Sequence, residues 1–597
     1  MYMAKFDKEL TARYIDDWVK ENMDESFVFR PFQKETILTL IENVITGKKV
    51  QVMEAPTGSG KSYIAMIAAG VLYQHFKKTS YILVSDTALF KQYEKDLDKF
   101  NLRWGHICGK DNYLCSQNGE CFSNGKCQLN GISIQKLSDP ISAKDEGYFC
   151  ATNCKYIKEH RKAMGSPITV MTYQLWFINM CLMVNIDTAK FPEKDVIICD
   201  EAHKLSDIVQ TVFSPRISMG EMEYLKVIDN YLEGLDSLDN NIPRYNKINQ
   251  TYEVMKMVYN KPYDDPYEKK RDLKMLFDRF ASFFASLSEV YKDMCEFIKT
   301  EPHPQQYYKV LKAFRSMIND YCCMKLYQEV IYKKGIQNFI PSVTSDEVVV
   351  FNCACEGELI KETFHKAAKQ EILMSATIGD ADIYMDLIGA STFDTYAMEV
   401  PSIFDFTKSP IYFGNGHKMS YTEKAASLPF ILEQIKQVLE KHRNERGIIH
   451  SGTYEISRAI YDSLPPSIKS RIVFYNSSKG RSEAIAQYKK FSNKILMGPS
   501  ILEGLDFDGD LCRFIIIAKL PYASLGNNLV KAKMELYPNW YPYDCVNKIT
   551  QGIGRGVRSE TDYCSTYILD GCFADLVKRS GNLFSKNIYS RFRRLSL

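Results

Sequence analysis

The chain has 597 residues, a formal net charge of +3, and 45% apolar and 25% charged residues, which is the composition of an ordinary globular protein. Collagen-like and largely disordered classes are therefore excluded, while a net charge near zero neither indicates nor excludes a polyanionic partner. Because one hydrophobic core stops growing at roughly 250–300 residues, several domains are expected, about four from length alone.

The cysteines are unevenly distributed, with six of the 17 lying between Cys108 and Cys154. The N-terminal residues carry charges throughout and contain no apolar signal-peptide core, so secretion is not expected. A cysteine cluster in such a chain indicates metal or redox chemistry in a reducing compartment rather than a disulfide scaffold. The uncharged stretch from Gly165 to Ile186 contains Pro167 and Asn179, which predicts a buried strand and helix rather than a membrane span.

Short apolar runs that end in glycine or acidic residues recur along the chain, which is typical of buried parallel strands with loops at their carboxyl ends. The first series comprises residues 49–55, 81–85, 168–172, 195–201 and 371–377. The second series comprises residues 446–452, 471–475, 494–498, 513–520 and 565–570. Helical patterns lie between the runs, so two α/β domains of similar build are predicted.

The first series is interrupted twice. Residues from about 103 to 165 are rich in cysteine, glycine and asparagine, and residues from about 204 to 343 show helical spacing with no strand series. Because strands of the first series resume after each interruption, the pattern favours two insertions within one α/β domain.

A glycine-rich segment between the first strand run and an apolar helix has the pattern of a phosphate-binding loop, or P-loop. It consists of Ala55, Pro56, Thr57, Gly58, Ser59, Gly60, Lys61 and Ser62. The glycines allow backbone N–H groups to wrap phosphate oxygens, Lys61 would reach the β- and γ-phosphates, and Ser62 would ligate Mg²⁺. Ala55 stands where the general pattern has glycine, so a glycine-rich turn before an ordinary helix is the alternative.

The acidic pair Asp200 and Glu201, followed closely by His203, ends another strand run. This position places both carboxylates at the carboxyl edge of a parallel sheet, where phosphates bind in this architecture. Asp200 is the expected Mg²⁺ partner, and Glu201 is the candidate base that orients the attacking water. An isolated pair of this kind is usually a solvated loop, but the upstream P-loop favours the catalytic interpretation.

Two further motifs complete the set. Ser375 and Thr377 end another strand run, and a segment from Gln551 to Arg558 lies in the second α/β domain. Its two arginines, Arg555 and Arg558, are three residues apart, on one face of a predicted helix. Arginines presented from a neighbouring domain would stabilise charge on a γ-phosphate. Each motif is weak alone, and their order on the expected elements carries the interpretation.

The chain resembles the XPD/DinG group of superfamily 2 iron–sulfur helicases, and archaeal XPD most of all. The resemblance lies in these motifs, in the segment EGLDF at residues 503–507, and in the cysteines between the P-loop and the acidic pair. The resemblance implies an α/β fold with two RecA-like P-loop domains, the first carrying an iron–sulfur insertion and a helical arch insertion. The implied domains are residues 1–102, 166–205 and 344–400 for the first RecA-like domain, 103–165 for the iron–sulfur domain, 206–343 for the arch and 401–597 for the second RecA-like domain.

The resemblance also implies roles for single residues. ATP binding is expected from the P-loop together with Arg30 and Gln33, which match the adenine-side motif, and Asp506. Catalysis is expected from Lys61, Asp200, Glu201, Gln551, Arg555 and Arg558. Coupling of the nucleotide state to the DNA is expected from His203, Ser375, Thr377 and Gly504.

Helicases of this group hold a [4Fe–4S] cluster with four cysteine thiolates. Cys115 matches the first ligand and Cys154 the last. Cys127 and Cys150 are favoured for the middle positions, but the close spacing of Cys150 and Cys154 leaves Cys121 as an alternative. A four-cysteine zinc site is the other interpretation, since irregular spacing alone does not distinguish the metals.

Basic residues follow the last candidate ligand, in the pattern of a cationic groove with aromatic platforms for single strands. The predicted DNA contacts are Lys110, Lys155, Tyr156, Lys158, Arg161, Lys162 and Tyr173. A solvated helix face is the alternative for this patch. The last 22 residues carry six basic and no acidic side chains, interleaved with Phe584, Tyr589 and Phe592, and form a second candidate surface.

The sequence therefore predicts an ATP- and Mg²⁺-dependent DNA helicase that acts as a monomer on single-stranded and forked DNA, without membrane association. The resemblance alone implies 5′ to 3′ movement, an iron–sulfur wedge, nucleotide excision repair, and contacts with repair or transcription-machinery proteins. A cytoplasmic, nucleoid-associated location is expected for a prokaryotic or archaeal protein, and a nuclear one for a eukaryotic protein. The alternatives are a DNA translocase, a damage-verification or scaffold subunit with little unwinding, and an RNA helicase, against which the cysteine cluster argues.

Overall fold

The computed structural model describes residues 6–125, 153–181, 191–217, 322–343, 348–402, 406–414, 416–475, 477, 480–502, 509–554, 556 and 562–596, and a few positions between 268 and 279. Its strands, in chain order, are β1 (Val50–Glu54), β2 (Ser80–Val84), β3 (Gly105–Ile107), β4 (Ile168–Thr172), β5 (Val196–Asp200), β6 (Arg216–Ile217), β7 (Phe339–Val343), β8 (Val349–Cys353), β9 (Gln370–Ser375), β10 (Thr395–Glu399), β11 (Ile411–Phe413), β12 (Gly447–His450), β13 (Ile472–Phe474), β14 (Ile495–Gly498), β15 (Phe514–Ile517), β16 (Ser565–Ile568) and β17 (Phe592–Arg594).

The labelled helices are α1 (Lys8–Asn22), α2 (Gln33–Thr46), α3 (Lys61–Phe76), α4 (Thr87–Lys99), α5 (Lys155–Gly165), α6 (Tyr173–Met180), α7 (Leu205–Phe213), α8 (Glu356–Ile360), α9 (Ala381–Leu387), α10 (Lys424–Lys441), α11 (Tyr454–Ser463), α12 (Pro466–Lys469), α13 (Arg481–Lys490), α14 (Asn528–Leu536), α15 (Trp540–Ile553), α16 (Cys572–Ser580) and α17 (Lys586–Tyr589). Residues 322–334 are also helical.

The first sheet is parallel throughout and has the strand order β10-β1-β9-β5-β2-β4-β3. All five apolar runs of the first series form strands of this sheet, which confirms that prediction. No apolar run marks β3 or β10, because β3 has only three residues and β10 is largely exposed at the sheet edge. The order makes β1, β9 and β5 neighbours, so the loops after these three strands meet.

The first sheet extends into the range that the resemblance assigns to the iron–sulfur insertion. Strand β3 pairs with β4, and helix α5 packs against β3. A Cβ at Gly105 would lie 2.7 Å from the Cα of Ala163, so this close approach of strand and helix requires glycine. Residues 126–152 of the same range lie outside the described residues.

The second sheet is also parallel, in the order β13-β14-β12-β15-β16-β11-β17, and all five runs of the second series form strands in it. The C-terminal residues form one edge, where Phe592 of β17 packs against Phe573 and Phe584. Arg591 is buried as well. The basic C-terminal segment is therefore built into the sheet, and Tyr589 is the exposed one of its three aromatic side chains.

The second interruption of the first series contains strands, although its sequence predicts none. Strands β6 and β7 form an antiparallel sheet with β8, in the order β6-β8-β7. The prediction fails because β6 has only two residues and β7 contains Pro341, so neither shows the apolar run of a buried strand. Most of the predicted arch, residues 218–321 apart from a few positions between 268 and 279, lies outside the part of the chain that the structure describes.

No helix within the described ranges combines the length and apolar character needed to cross a bilayer. The uncharged stretch that begins at Gly165 forms β4 and α6, which confirms the prediction of a strand followed by a helix. Both elements are lined with buried side chains of the first domain.

Helix α3 lies between the first sheet and the helices α1 and α2, and its residues from Ile64 to Leu72 are buried. Trp18 of α1 packs over Gly70, where an added Cβ would overlap the indole ring. The helix that follows the P-loop is therefore held by an interface that tolerates no extra methyl group at this position.

Replacing Gly70 by alanine is expected to lower the thermal unfolding midpoint, because relief of the overlap with Trp18 costs about 1–3 kcal/mol. The matched control is Gly165→Ala in α5, where an added Cβ meets no atom within 4 Å. Differential scanning fluorimetry compares the two variants. Equal midpoints would contradict the expectation, since they would mean that Trp18 moves aside without cost.

Candidate active site

The loop between β1 and α3 has the local structure that its glycines predict. Gly58 and Gly60 have φ values of +82° and +79°, in the left-handed region that favours glycine. Lys61 begins α3, and its Nζ donates a hydrogen bond to the carbonyl of Ala55 at 3.2 Å, across the loop. The buried hydroxyl of Ser59 has no hydrogen-bond partner among the described residues. The loop thus curves around the N-terminus of a helix, the arrangement that binds phosphate oxygens.

Gln33 is joined directly to this loop. Its side chain is buried, its Nε2 donates to the carbonyl of Gly60 at 3.3 Å, and its Oε1 accepts from the backbone N–H of Arg30 at 3.0 Å. A Cβ at Gly60 would lie 2.6 Å from the Gln33 amide nitrogen, so the contact depends on glycine. The structure therefore brings the predicted adenine-side pair against the P-loop.

Asp200 ends β5 and is 2% exposed. Its Oδ2 accepts a hydrogen bond from the hydroxyl of Tyr93 at 2.9 Å, and its Oδ1 accepts one from the backbone N–H of Glu201 at 2.9 Å. Tyr93 also contacts the side chain of Ser62. Glu201 has a φ of +57°, an uncommon conformation for a residue with a side chain, and strain of this kind concentrates at functional sites.

The pKa values of the two neighbouring carboxyls are shifted in opposite directions. Burial and the Glu201 carboxylate raise the pKa of Asp200, against the opposing effect of the Lys61 ammonium. Burial also acts to raise the pKa of Glu201, but a hydrogen bond from His203 and the charge of Lys61 outweigh it and lower that pKa. Glu201 is therefore the carboxylate that stays ionised, as a group that accepts a proton or hydrogen bond from water must.

His203 links the acidic pair to β9. Its Nδ1 lies 2.7 Å from the hydroxyl of Ser375 and 3.2 Å from Oε2 of Glu201. The Ser375 hydroxyl also accepts a hydrogen bond from the backbone N–H of Thr377 at 3.2 Å. Because β9 lies beside β5 in the sheet, two motifs that are distant in the sequence form one hydrogen-bonded chain.

Two hydrogen bonds join the second domain to these motifs. The Nε2 of Gln551 donates to the Thr377 hydroxyl at 3.2 Å, and the Thr57 hydroxyl donates to the carbonyl of Gly554 at 3.2 Å. Both contacts come from the C-terminal end of α15. The cleft between the domains has a volume of about 1250 Å³, and its lining includes Pro56 and Thr57 of the P-loop, Glu201, and residues of α15.

Four of the residues predicted for catalysis, ATP binding or coupling lie outside the described residues, namely Gly504, Asp506, Arg555 and Arg558. Helix α15 ends at Ile553, immediately before the segment that holds the two arginines. Their roles therefore stay predictions.

Glu54 is a residue of this site that the sequence reasoning missed. It ends β1, just before the P-loop, and its Oε2 accepts hydrogen bonds from the backbone N–H groups of Ile378 at 3.1 Å and Gly379 at 2.5 Å. Burial, with a smaller contribution from Glu399, raises the pKa of Glu54 to about 7. An acidic residue at the end of a predicted buried strand is the pattern that identified Asp200. The same pattern in the sequence would have identified Glu54.

Two of the predicted DNA contacts are buried. Tyr173 is 0% exposed and its hydroxyl donates to the carbonyl of Asp200 at 3.1 Å. Tyr156 is 3% exposed, and its ring centroid lies 4.4 Å from that of Phe122. Neither ring is available to stack on a base, because both fill the core, so the prediction is wrong for these two residues. Lys155, Lys158 and Lys162 are exposed on α5, whereas Arg161 and Lys110 are partly buried.

The described cysteines lie beside the same aromatic core. The thiols of Cys115 and Cys154 are both buried, and Cys154 is the N-cap of α5. A Cβ at Gly125 would lie 3.4 Å from the Sγ of Cys115, so Gly125 lies against this thiol. Cys127 and Cys150 lie outside the described residues, and Cys121 is partly buried. Cys115 and Cys154 are thus the two favoured cluster ligands that the structure describes, and their role stays a prediction.

Comparison with known proteins identifies similar proteins among the helicases. A family described as helicase C-terminal domain matches residues 435–591, and one described as type III restriction enzyme, res subunit, matches residues 26–231. A probable ATP-dependent helicase of Methanocaldococcus jannaschii is 22% identical over 94% of this chain and 94% of its own length. The ATP-dependent DNA helicase YoaA of Escherichia coli is 22% identical over 89% of each chain.

Solved structures share the fold over nearly the whole chain. The structure named XPD_Helicase has a TM-score of 0.60 at 16% identity, over 95% of this chain and all of that one. The structure of S. tokodaii Xpd4 has a TM-score of 0.56 at 15% identity with the same coverage. The two parallel-sheet α/β domains, predicted from the two strand series, and their RecA-like fold, implied by the resemblance, are therefore confirmed.

The raised pKa of Glu54 leads to a pH-dependent prediction. Since the folded protein holds this proton up to about pH 7 and the unfolded chain releases it near pH 4.5, the contribution of Glu54 to stability is present at low pH and lost as the pH rises. Glu54→Gln is expected to raise the unfolding midpoint at pH 8, by up to about 3 kcal/mol in free energy, and to leave it unchanged at pH 5. Glu193→Gln, in an exposed loop, is the control. A midpoint difference that does not depend on pH would contradict this assignment.

Proposed function

Because the chain is a superfamily 2 helicase of the XPD/DinG type, we propose that ATP hydrolysis in the interdomain cleft drives it 5′ to 3′ along single-stranded DNA and separates duplex at the iron–sulfur domain. It is an ATP-dependent DNA helicase by family. The polarity and a role in nucleotide excision repair rest on the resemblance of its motifs, with single-stranded and forked DNA as the substrates.

The residues of the cleft suit the chemistry of ATP hydrolysis. Lys61 would bind the β- and γ-phosphates, and Ser62 with Asp200 would hold Mg²⁺, which would neutralise charge on the phosphates. Tyr93 contacts both proposed magnesium ligands, Ser62 and Asp200, and so orients their side chains. Glu201, kept ionised by His203, accepts a hydrogen bond from the attacking water.

One observation carries the proposal, namely the pair of cross-domain hydrogen bonds at the end of α15. The contacts of Gln551 with Thr377 and of Gly554 with Thr57 tie the second domain to the two loops beside the proposed γ-phosphate. A change at the phosphate site therefore alters how the domains are held together. Coupling of this kind is what converts hydrolysis into opening and closing of the cleft.

The DNA track is proposed to pass the exposed lysines of α5. Lys155, Lys158 and Lys162 follow one another at three- and four-residue intervals, so they lie on one face of the helix. This face begins at Cys154, the last proposed cluster ligand, which places the cationic surface beside the proposed wedge. Thiolate ligation would stabilise this small insertion, which has too little core of its own.

Unwinding of tailed duplexes tests the function. Strand separation is expected on DNA with a 5′ tail, and not on DNA with a 3′ tail or on an RNA duplex. Glu201→Gln is expected to lower kcat for ATP hydrolysis by about 10²-fold or more, to keep nucleotide binding, and to abolish unwinding. Glu193→Gln is the matched control and is expected to behave as the wild type does.

The other outcomes separate the alternatives. Unwinding from a 3′ tail would overturn the polarity. ATP-driven movement on single strands without separation of any duplex would favour a translocase or damage-verification module, and unwinding of RNA alone would favour an RNA helicase.

Removal of a proposed cluster ligand tests the wedge. Cys115→Ser is expected to lose the bound iron, the visible absorbance and the unwinding activity, while DNA-stimulated ATP hydrolysis continues, because the nucleotide cleft lies in other elements. Cys121→Ser is the matched variant and is expected to keep its iron if Cys127 and Cys150 complete the set. Iron and sulfide per chain are measured beside both activities, and unwinding that persists without iron would refute the wedge.

A further inference from the structure

Three side chains outside the nucleotide site meet at the edge of the first sheet. Glu94 projects from α4, His106 from β3 and Glu159 from α5. The Nε2 of His106 lies 3.7 Å from Oε1 of Glu94 and 3.9 Å from Oε1 of Glu159, and the three atoms all lie within 4.8 Å of one another. The side chains of Glu94, His106 and Glu159 are 28%, 13% and 11% exposed, so the cluster is largely enclosed.

His106 makes no hydrogen bond within the part of the chain that the structure describes. Its Nδ1 is buried without a partner, and its Nε2 is farther from both carboxylates than a hydrogen bond allows. Nε2 of His106 therefore faces two carboxylate oxygens without a direct hydrogen bond to either of them. A metal ion among the three atoms would bind all of them at once.

Glu159 is held in position by Tyr113. The buried hydroxyl of Tyr113 donates to Oε2 of Glu159 at 2.6 Å. This contact leaves Oε1 as the oxygen that faces His106 and Glu94. Hydrogen bonds to the outer oxygen orient the carboxylates that bind metal ions in the same way.

Lys155 approaches the same carboxylates from the solvent side. Its Nζ lies 3.7 Å from Oε1 of Glu94 and 3.5 Å from Oε1 of Glu159, and its side chain is 67% exposed. Exposed ion pairs of this kind are weak, so the ammonium is free to move into solvent. One ammonium also leaves the two carboxylates with a net charge of minus one, which a divalent ion would balance.

We propose that Glu94, His106 and Glu159 bind a divalent transition-metal ion of the zinc type, with Lys155 displaced when the ion binds. Zinc lies about 2.0–2.2 Å from imidazole nitrogen and carboxylate oxygen, which places tetrahedral ligands about 3.3–3.6 Å apart. The two separations from His106, 3.7 and 3.9 Å, need shifts of a few tenths of an ångström, and the two glutamates, within 4.8 Å of each other, need a shift of about 1 Å at most per side chain. The imidazole favours zinc over magnesium or calcium, and three protein ligands leave a fourth position for water.

An ion at this site would join three elements at the root of the first insertion. Helix α5 begins directly after Cys154, and β3 is the edge strand of the first sheet. The ion would hold the helix to the sheet through residues that do not belong to the cysteine set. The proposal does not depend on ATP hydrolysis, because none of the three ligands lines the nucleotide cleft.

Zinc binding to the nucleotide-free holoprotein tests the proposal, by equilibrium dialysis with zinc and iron counted per chain. The wild type is expected to bind one zinc ion, and His106→Gln and Glu94→Gln are each expected to weaken this binding at least tenfold. Lys155→Met is expected to bind at least threefold more tightly, because the competing ammonium is gone. His417→Gln, in the second domain, is the control and is expected to bind as the wild type does.

Equal zinc binding by the wild type and both ligand variants would overturn the proposal, and so would weaker binding by Lys155→Met. Zinc taken up in proportion to lost iron would place the ion on cysteines and would overturn it as well. If His106→Gln does not fold, Glu94→Gln decides the question, because Glu94 is the most exposed of the three ligands.

Discussion

The parallel pairing of β1, β9 and β5 is the constraint on which the rest of the site depends. In this register Glu54 lies beside Ser375, and Met374 lies beside Asp200, so the three strands end at the same level. Parallel strands present their carboxyl ends at one edge of a sheet, and the loops that follow therefore converge there. The hydrogen bond between His203 and Ser375, which are 172 positions apart in the chain, is a direct result.

The converging loops leave the site short of positive charge. The ammonium of Lys61 interacts electrostatically with the carboxyls of Glu54, Asp200 and Glu201. The pKa values of Glu54 and Asp200 are nevertheless raised. A site with three carboxyls and one nearby lysine favours the binding of a divalent cation, which would offset their negative charge. Helix α15 of the second domain packs against the same edge. A change of charge at the phosphates would therefore affect the hydrogen bonds that hold the two domains together.

The root of the first insertion obeys a different constraint, since a small segment with little core must be fixed to a large sheet. Aromatic rings supply much of the packing, with Phe122 and Tyr113 against Tyr156. Polar contacts supply the rest, through the hydrogen bond of Tyr113 to Glu159 and the cluster around His106. Tyr156 is therefore a packing residue, although its neighbours along α5 are exposed lysines.

The amino-acid sequence by itself determined the strand series, the P-loop and the acidic pair, because burial of an apolar run and the shape of a glycine-rich loop are properties of a few consecutive residues. The exposed edge strand β10 and the three-residue strand β3 carry no such run, and they escaped prediction for that reason. Only the tertiary structure decided the burial of Tyr173, the contact of Gln551 with Thr377, and the meeting of His106 with its two glutamates. Each of these contacts depends on which distant elements pack together. The free energy that favours one packing arrangement over another is distributed over many side chains.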